Sequence, residues 1–144
     1  MNKKVIPILL VAYFSIFQGF AQVDLDWLAL QNGISWEAKS GISLFKEAVF
    51  TKELEDLEGK QVSMIGYFLV LEGTQSVYML SKNPMASCFF CGNGGPETIV
   101  ELQFGKKPTY RMDDLISVVG VLRLNRDNPN HCYYLIEKAE ALSL

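Results

Sequence analysis

Three cysteines and a single histidine hold most of the reactive potential in this 144-residue chain. Cys88 and Cys91 are separated by two residues in Ser87-Cys88-Phe89-Phe90-Cys91-Gly92-Asn93-Gly94-Gly95-Pro96. Cys-x-x-Cys followed by glycine is one half of a zinc knuckle, because a glycine-rich backbone lets two sulfurs turn toward one centre. A tetrahedral site needs two further donors, and no second Cys-x-x-Cys exists. His131 is the obvious third ligand. Thiolate and imidazole both suit zinc, so the spacing predicts a zinc-type site of Cys88, Cys91 and His131, with Cys132 or Glu97 as the fourth donor. His131 and Cys132 are neighbours at the start of a strand and face opposite ways, which disfavours both as ligands together.

Other chemistries compete for the same residues. Cys88 and Cys91 could form a structural disulfide or a thiol–disulfide redox pair. A thioredoxin-type pair needs its first cysteine at a helix N-terminus, and Phe89-Phe90-Cys91-Gly92-Asn93-Gly94-Gly95 cannot continue as a helix. Covalent haem attachment needs histidine directly after the second cysteine, where Gly92 stands. Plain buried thiols beside a turn are the simplest alternative. The glycines after Cys91 lack the lysine and helix of a phosphate-binding loop. No nucleophile–base set is readable, and Asp113-Asp114 and Glu137 with Glu140 read as turn and surface carboxylates. The balance favours a non-catalytic protein.

These residues must be positioned by a small fold. Residues 1–21 read as a secretory signal: Lys3 and Lys4, an apolar run over residues 5–17, then Gly19-Phe20-Ala21 as a cleavage site. The run falls short of the roughly 20 residues that span a bilayer, so no stable membrane span is expected after its removal. The destination is the periplasm or the exterior. The chain carries 13 basic and 16 acidic residues, a net charge of −3. Without residues 1–21, 123 residues remain, with 11 basic against 16 acidic groups and a charge of −5. That sign opposes nucleic-acid binding through phosphate neutralisation. Tyr67, Phe68, Tyr78, Tyr133 and Tyr134 could stack on bases, but Lys106, Lys107 and Arg111 make only a local basic patch.

Residues 22–59 read as an irregular extension with one short helix over residues 52–57, N-capped by Thr51 and stopped at Glu58-Gly59. Trp27 and Trp36 are expected to cover the core. From residue 60 to 144 the pattern turns to strands. Residues 62–70 and 116–124 share the pattern apolar-Ser-apolar-apolar-Gly-apolar-apolar-x-apolar, with Gly66 and Gly120 at a bulge or bend. Shorter strands fit residues 76–80, 98–104 and 132–136, separated by strong turn signals. Five strands, two long and bent at glycine, predict a mainly β, five-stranded OB-like Greek-key barrel, with an SH3-like barrel or a short sandwich as the runner-up.

Gly59-Lys60-x-Val62, Gly66-Tyr67, Leu80-Ser81-x-Asn83-Pro84, the Ser87–Gly92 stretch, Gly95-Pro96-Glu97, Leu122-x-Leu124-Asn125 and His131-x-x-Tyr134 together resemble a family of small secreted bacterial proteins with no assigned function. The resemblance covers roughly residues 57–139 and is most specific around Cys88. Other branches carry Cys-x-His followed by prolines there, so Cys88 matches directly and the next donor moves from position 90 to Cys91. Some members are thought to sit beside metal-transport components, which leans toward zinc. The resemblance implies an exported OB-like module, of no stated reaction. It leaves open a second role, docking of an envelope protein partner, with the cysteines bracing a loop.

Overall fold

The computed structural model describes residues 22–38 and 46–144; the expected signal segment lies outside the described residues. In chain order the elements are β1 (Val23–Asp24), α1 (Trp27–Asn32), β2 (Ile34–Ala38), β3 (Lys46–Phe50), α2 (Lys52–Glu55), β4 (Gln61–Leu71), β5 (Val77–Ser81), β6 (Ile99–Phe104), β7 (Leu115–Leu124) and β8 (Tyr134–Ser143). Three single 3-10 turns, Met85–Ser87, Phe89–Cys91 and Pro96–Thr98, lie between β5 and β6.

The two long alternating segments become β4 and β7, and they close the sheet. The order is β4–β5–β6–β8–β7, and β7 pairs back with β4. Every pairing in this ring is antiparallel except β6 with β8. The result is a closed five-stranded barrel of the OB-like class; the described residues are mainly β, with two short helices. The sequence placed the last strand over residues 132–136; β8 starts two residues later and runs on to Ser143.

Both central glycines mark points of close approach, for different reasons. Strand β4 pairs with β7 up to Tyr67 and with β5 from Tyr67 onward, so it serves two sides of the barrel. Gly66 sits at this handover, where a Cβ would stand 2.7 Å from the Ser81 carbonyl oxygen and 2.9 Å from the Trp27 ring. Its ladder to β7 is unbroken, so it is no bulge. Gly120 is the true bulge: the β7–β8 register shifts between Val119 and Val121, and a Cβ there would lie 2.6 Å from the Glu137 carbonyl oxygen.

The extension is more ordered than its sequence suggested. Asp26 caps α1 by accepting from the Ala29 amide at 2.7 Å, and β2 and β3 form an antiparallel hairpin. β1 lies parallel to β4. Helix α2 is shorter than expected; Thr51 stands at its N-cap without a side-chain cap bond, and Gly59 takes φ +82 beyond it.

Leu25, Leu30, Phe50 and Leu54 of the extension share one buried cluster with Val62, Phe68, Leu102, Ile116, Leu122 and Tyr134 of the barrel. Leu30 is fully buried, and the Tyr134 hydroxyl donates to its carbonyl at 2.8 Å. Burial pushes the Tyr134 phenol well above its ordinary pKa, which keeps it protonated as a donor. Both tryptophans cover the core: Trp27 Nε1 donates to the Ile65 carbonyl at 2.8 Å, and Trp36 meets the Tyr133 ring edge-on with centroids 4.9 Å apart. Among the described residues, no helix is long and apolar enough to cross a membrane.

Gly66→Ala forces a methyl against backbone that cannot yield, which is expected to cost about 1–3 kcal/mol. Gly105 has nothing within 4 Å of its added Cβ, so Gly105→Ala serves as the control. Thermal unfolding should show a lower midpoint for the first and little change for the second; equal midpoints would refute the packing account of Gly66.

Candidate functional site

The outer surface of the barrel at β5 and β6 is not bare. Strand β6 begins Ile99-Val100-Glu101-Leu102, with all four residues buried. Val100 and Leu102 face the barrel core. Ile99 points outward into a second cluster with Leu69, Met79 and Cys88, against which Leu71, Val77, Met85, Phe89 and Cys132 pack. A strand buried on both faces reads as a nearly continuous apolar run, and here the segment between β5 and β6 supplies the outer cover.

Glu101 interrupts that run. It is only 7% exposed, and a carboxylate so placed must have partners. Gln103 Nε2 on the same strand donates to Oε1 at 3.4 Å, and two closer partners come from the loop joining β7 to β8. His131 Nδ1 lies 2.8 Å from Glu101 Oε1, and the Cys132 amide donates to Oε2 at 3.1 Å. One buried carboxylate thus fastens that loop across β6.

The rest of the loop is folded by its own asparagines. Asn125 Nδ2 donates to the carbonyls of Asn128 and His131 at 2.7 and 3.2 Å, while Asn125 Oδ1 accepts from the Asn128 amide at 3.0 Å. The Asn128 side chain accepts in turn from the Asn130 amide at 3.0 Å. Such local side-chain bonds are what suit asparagine to turns. Arg126 anchors the loop's base, reaching Glu55 and Glu58 at 3.2 Å each and lying 5.4 Å over the Phe50 ring.

Between this loop and the cysteine loop runs a groove of about 780 Å³. Its apolar wall includes Val77, Met79, Phe89, Phe90 and Ile99; its polar wall carries Glu101, Asn128, Asn130 and His131. A second hollow of about 480 Å³ continues past Glu101 and His131 toward Gln75 and Tyr78. The first of these, mostly apolar with a few convergent polar groups, has the character of a ligand site. The groove also occupies the second-and-third-strand face of the barrel, where OB-like folds bind their ligands.

The cysteine loop and His131 line the same groove but make different contacts. Cys88 is buried, Cys91 is exposed, Cys132 is intermediate, and all three are free thiols. The Cys88 sulfur lies 3.7 Å from the Met85 sulfur, and the Cys91 thiol donates to the Met85 carbonyl at 3.0 Å. Gly92 takes φ +83 and so ends the Phe89–Cys91 turn. Desolvation, then the neighbouring Cys88, holds the Cys91 thiol above its ordinary pKa. Burial, with Glu101 nearby, pushes the Cys132 thiol up to about 12. A reactive thiolate needs its pKa lowered; these two are shifted the other way.

Of the residues singled out in the sequence, Cys88 and Cys91 are brought together with Met85, and His131 is brought to Glu101. Glu97 sits in the Pro96–Thr98 turn. Among the described residues, no group of three or more histidine, cysteine or acidic side chains is placed to hold a metal ion. Sequence reasoning missed Glu101, Met85 and the asparagine loop. A charge inside Ile-Val-Glu-Leu and the repeated asparagines at 125, 128 and 130 were the available signals. Comparison with family models, with curated proteins and with solved structures returns no match.

Removing the Glu101 carboxylate strands the Cys132 amide, and a buried donor left unpaired costs about 1–3 kcal/mol. Glu101→Leu should therefore destabilise more than Glu101→Gln, which keeps an acceptor oxygen. Urea unfolding midpoints provide the check; Glu101→Leu as stable as wild type would show that the carboxylate does not fasten the loop.

Proposed function

We propose that this protein is an exported binding module, acting in the periplasm or outside the cell, whose groove between the cysteine loop and the β7–β8 loop docks an envelope protein partner. The observation that carries the reading is the groove itself, walled by Val77, Met79, Phe89 and Phe90 on one side and by the asparagine loop on the other. A preformed cleft lowers the ordering cost of binding, and the internal bonds of the asparagine loop supply that order before any ligand arrives.

The wall chemistry selects the occupant. Phe90 is 42% exposed at the mouth and stacks edge-on against Phe89 with centroids 5.4 Å apart, a ready anchor for an apolar side chain. The amides of Asn128 and Asn130 can bond peptide groups beside it. A polypeptide segment with one large apolar residue satisfies both walls. Phosphate-rich polymers are disfavoured by the acidic balance of the chain and by Glu101 in the floor.

A random peptide library displayed on phage and selected on the immobilised full chain tests this reading. The expected result is enrichment of sequences sharing a large apolar residue. Loss of an aromatic anchor costs about 2 kcal/mol or more, roughly thirtyfold in affinity, so Phe90→Asp with Val77→Arg should abolish retention while the circular dichroism stays unchanged. No enrichment, equal retention by the double variant, or preferential binding of oligosaccharides at the same residues would each overturn it.

A further inference from the structure

The sulfur atoms of the cysteine loop suggest a second site, independent of the groove's occupant. We propose that Met85, Cys88 and Cys91 form an all-sulfur site for a soft monovalent cation, copper(I). The three residues lie in Met85-Ala86-Ser87-Cys88-Phe89-Phe90-Cys91, built as two successive 3-10 turns with Cys88 between them. Cys88 is extended where the two turns meet, so what gathers the three side chains is their contacts and not one continuous winding.

Distance supports a shared ion. Sulfurs bound to one ion at about 2.3 Å stand about 3.8 Å apart in tetrahedral geometry and about 4.0 Å apart in a trigonal plane. The Cys88 and Met85 sulfurs already stand 3.7 Å apart. The Cys91 thiol joins them through two contacts: it donates to the Met85 backbone carbonyl at 3.0 Å, and its side chain hydrogen-bonds with that of Cys88.

Donor type then selects the ion. A thioether is a soft, uncharged ligand that favours copper(I), whereas oxygen-preferring ions gain nothing from it. Zinc needs four donors in a closed structural site, and the nearest imidazole, that of His131, is held by Glu101. Copper(I) is satisfied by few ligands, all soft. Surroundings and access agree with this. Leu69, Met79 and Ile99 enclose the Cys88 side, keeping competing water from the ion, while exposed Cys91 leaves a way in. On binding, the Cys88 and Cys91 thiols each release one proton to solvent, leaving two thiolates around one monovalent cation. The site then carries a net charge of −1, and no electron is transferred.

The test titrates the reduced full chain with copper(I) under anaerobic conditions, against bicinchoninate as a coloured competitor. One equivalent should be withheld from the competitor, with only sulfur in the first shell by X-ray absorption. Because Cys88 is buried, the informative variants are Met85→Leu and Cys91→Ser, whose folding is checked by circular dichroism. Even outer-shell changes cost about 10–100-fold in metal affinity, so each variant should weaken retention at least about tenfold. Copper lost entirely to the competitor, retention that Met85→Leu leaves unchanged, or nitrogen in the shell that disappears in His131→Gln would overturn the proposal. Stoichiometric zinc in place of copper, dependent on His131, would overturn it equally.

Discussion

Barrel closure through β4 is the constraint on which the rest of the structure depends. One strand must pair with β7 along its first half and with β5 along its second. The handover requires the backbone of β4 to approach Ser81 more closely than any side chain allows, hence Gly66. Gly120 does the corresponding work in β7 by absorbing a register shift. Once the ring is closed, its interior must be filled and its end stopped, and the extension does both. Leu30 enters the core, and its carbonyl meets the buried phenol of Tyr134.

Closure also decides where a ligand surface can exist. The closed barrel itself offers no free edge for strand addition, which leaves its outer face and the loops that rise beside it as the barrel's surface for recognition. On β5 and β6 that face is roofed on one side by the cysteine loop, through Leu69, Met79, Ile99 and Cys88. On the other side the β7–β8 loop is fastened across β6 by the Glu101 carboxylate and at its base by Arg126. The proposed groove is the gap between these two roofs. The cysteine loop therefore serves twice: its phenylalanines wall the groove, and Met85 contacts both of its cysteines. The sequence expectation joined the cysteines to His131; in the structure Cys88 and Cys91 contact Met85, and His131 contacts Glu101.

Much of the fold was legible because its signals are local. Alternation over residues 62–70 and 116–124, a central glycine in each, and strong turn residues between strands define a small bent-strand barrel. Closure itself was also inferable, since two long strands of matched pattern imply a shared ladder. The hairpin β2–β3 was hidden, because Ile34-Ser35-Trp36-Glu37 pairs with residues beyond a connecting stretch and lacks a tight-turn signature. The outer layer was partly hidden too. Phe68-Leu69-Val70-Leu71 and Ile99-Val100 show that both faces of the barrel wall are apolar there, but alternation analysis looks for one buried face only. The contact of His131 with Glu101 was hidden for a tertiary reason: Glu101 lies 30 residues away on a strand that meets β8 in parallel, a pairing that no local pattern reports. Met85 was passed over because a methionine three residues before Cys88 is ordinarily core.

The account's central claim is that recognition belongs to the β5–β6 face and not to the barrel wall opposite. The most direct measurement is amide chemical-shift mapping of the full chain, labelled with nitrogen-15, during titration with a peptide that carries a single large apolar residue. The account predicts changes at Val77, Met79, Phe90, Glu101, Asn128 and His131, with the outward residues of β7, Ser117 and Arg123, unmoved. Changes centred on β7, or saturation of binding with the amides of Phe90 and Asn128 unshifted, would contradict it.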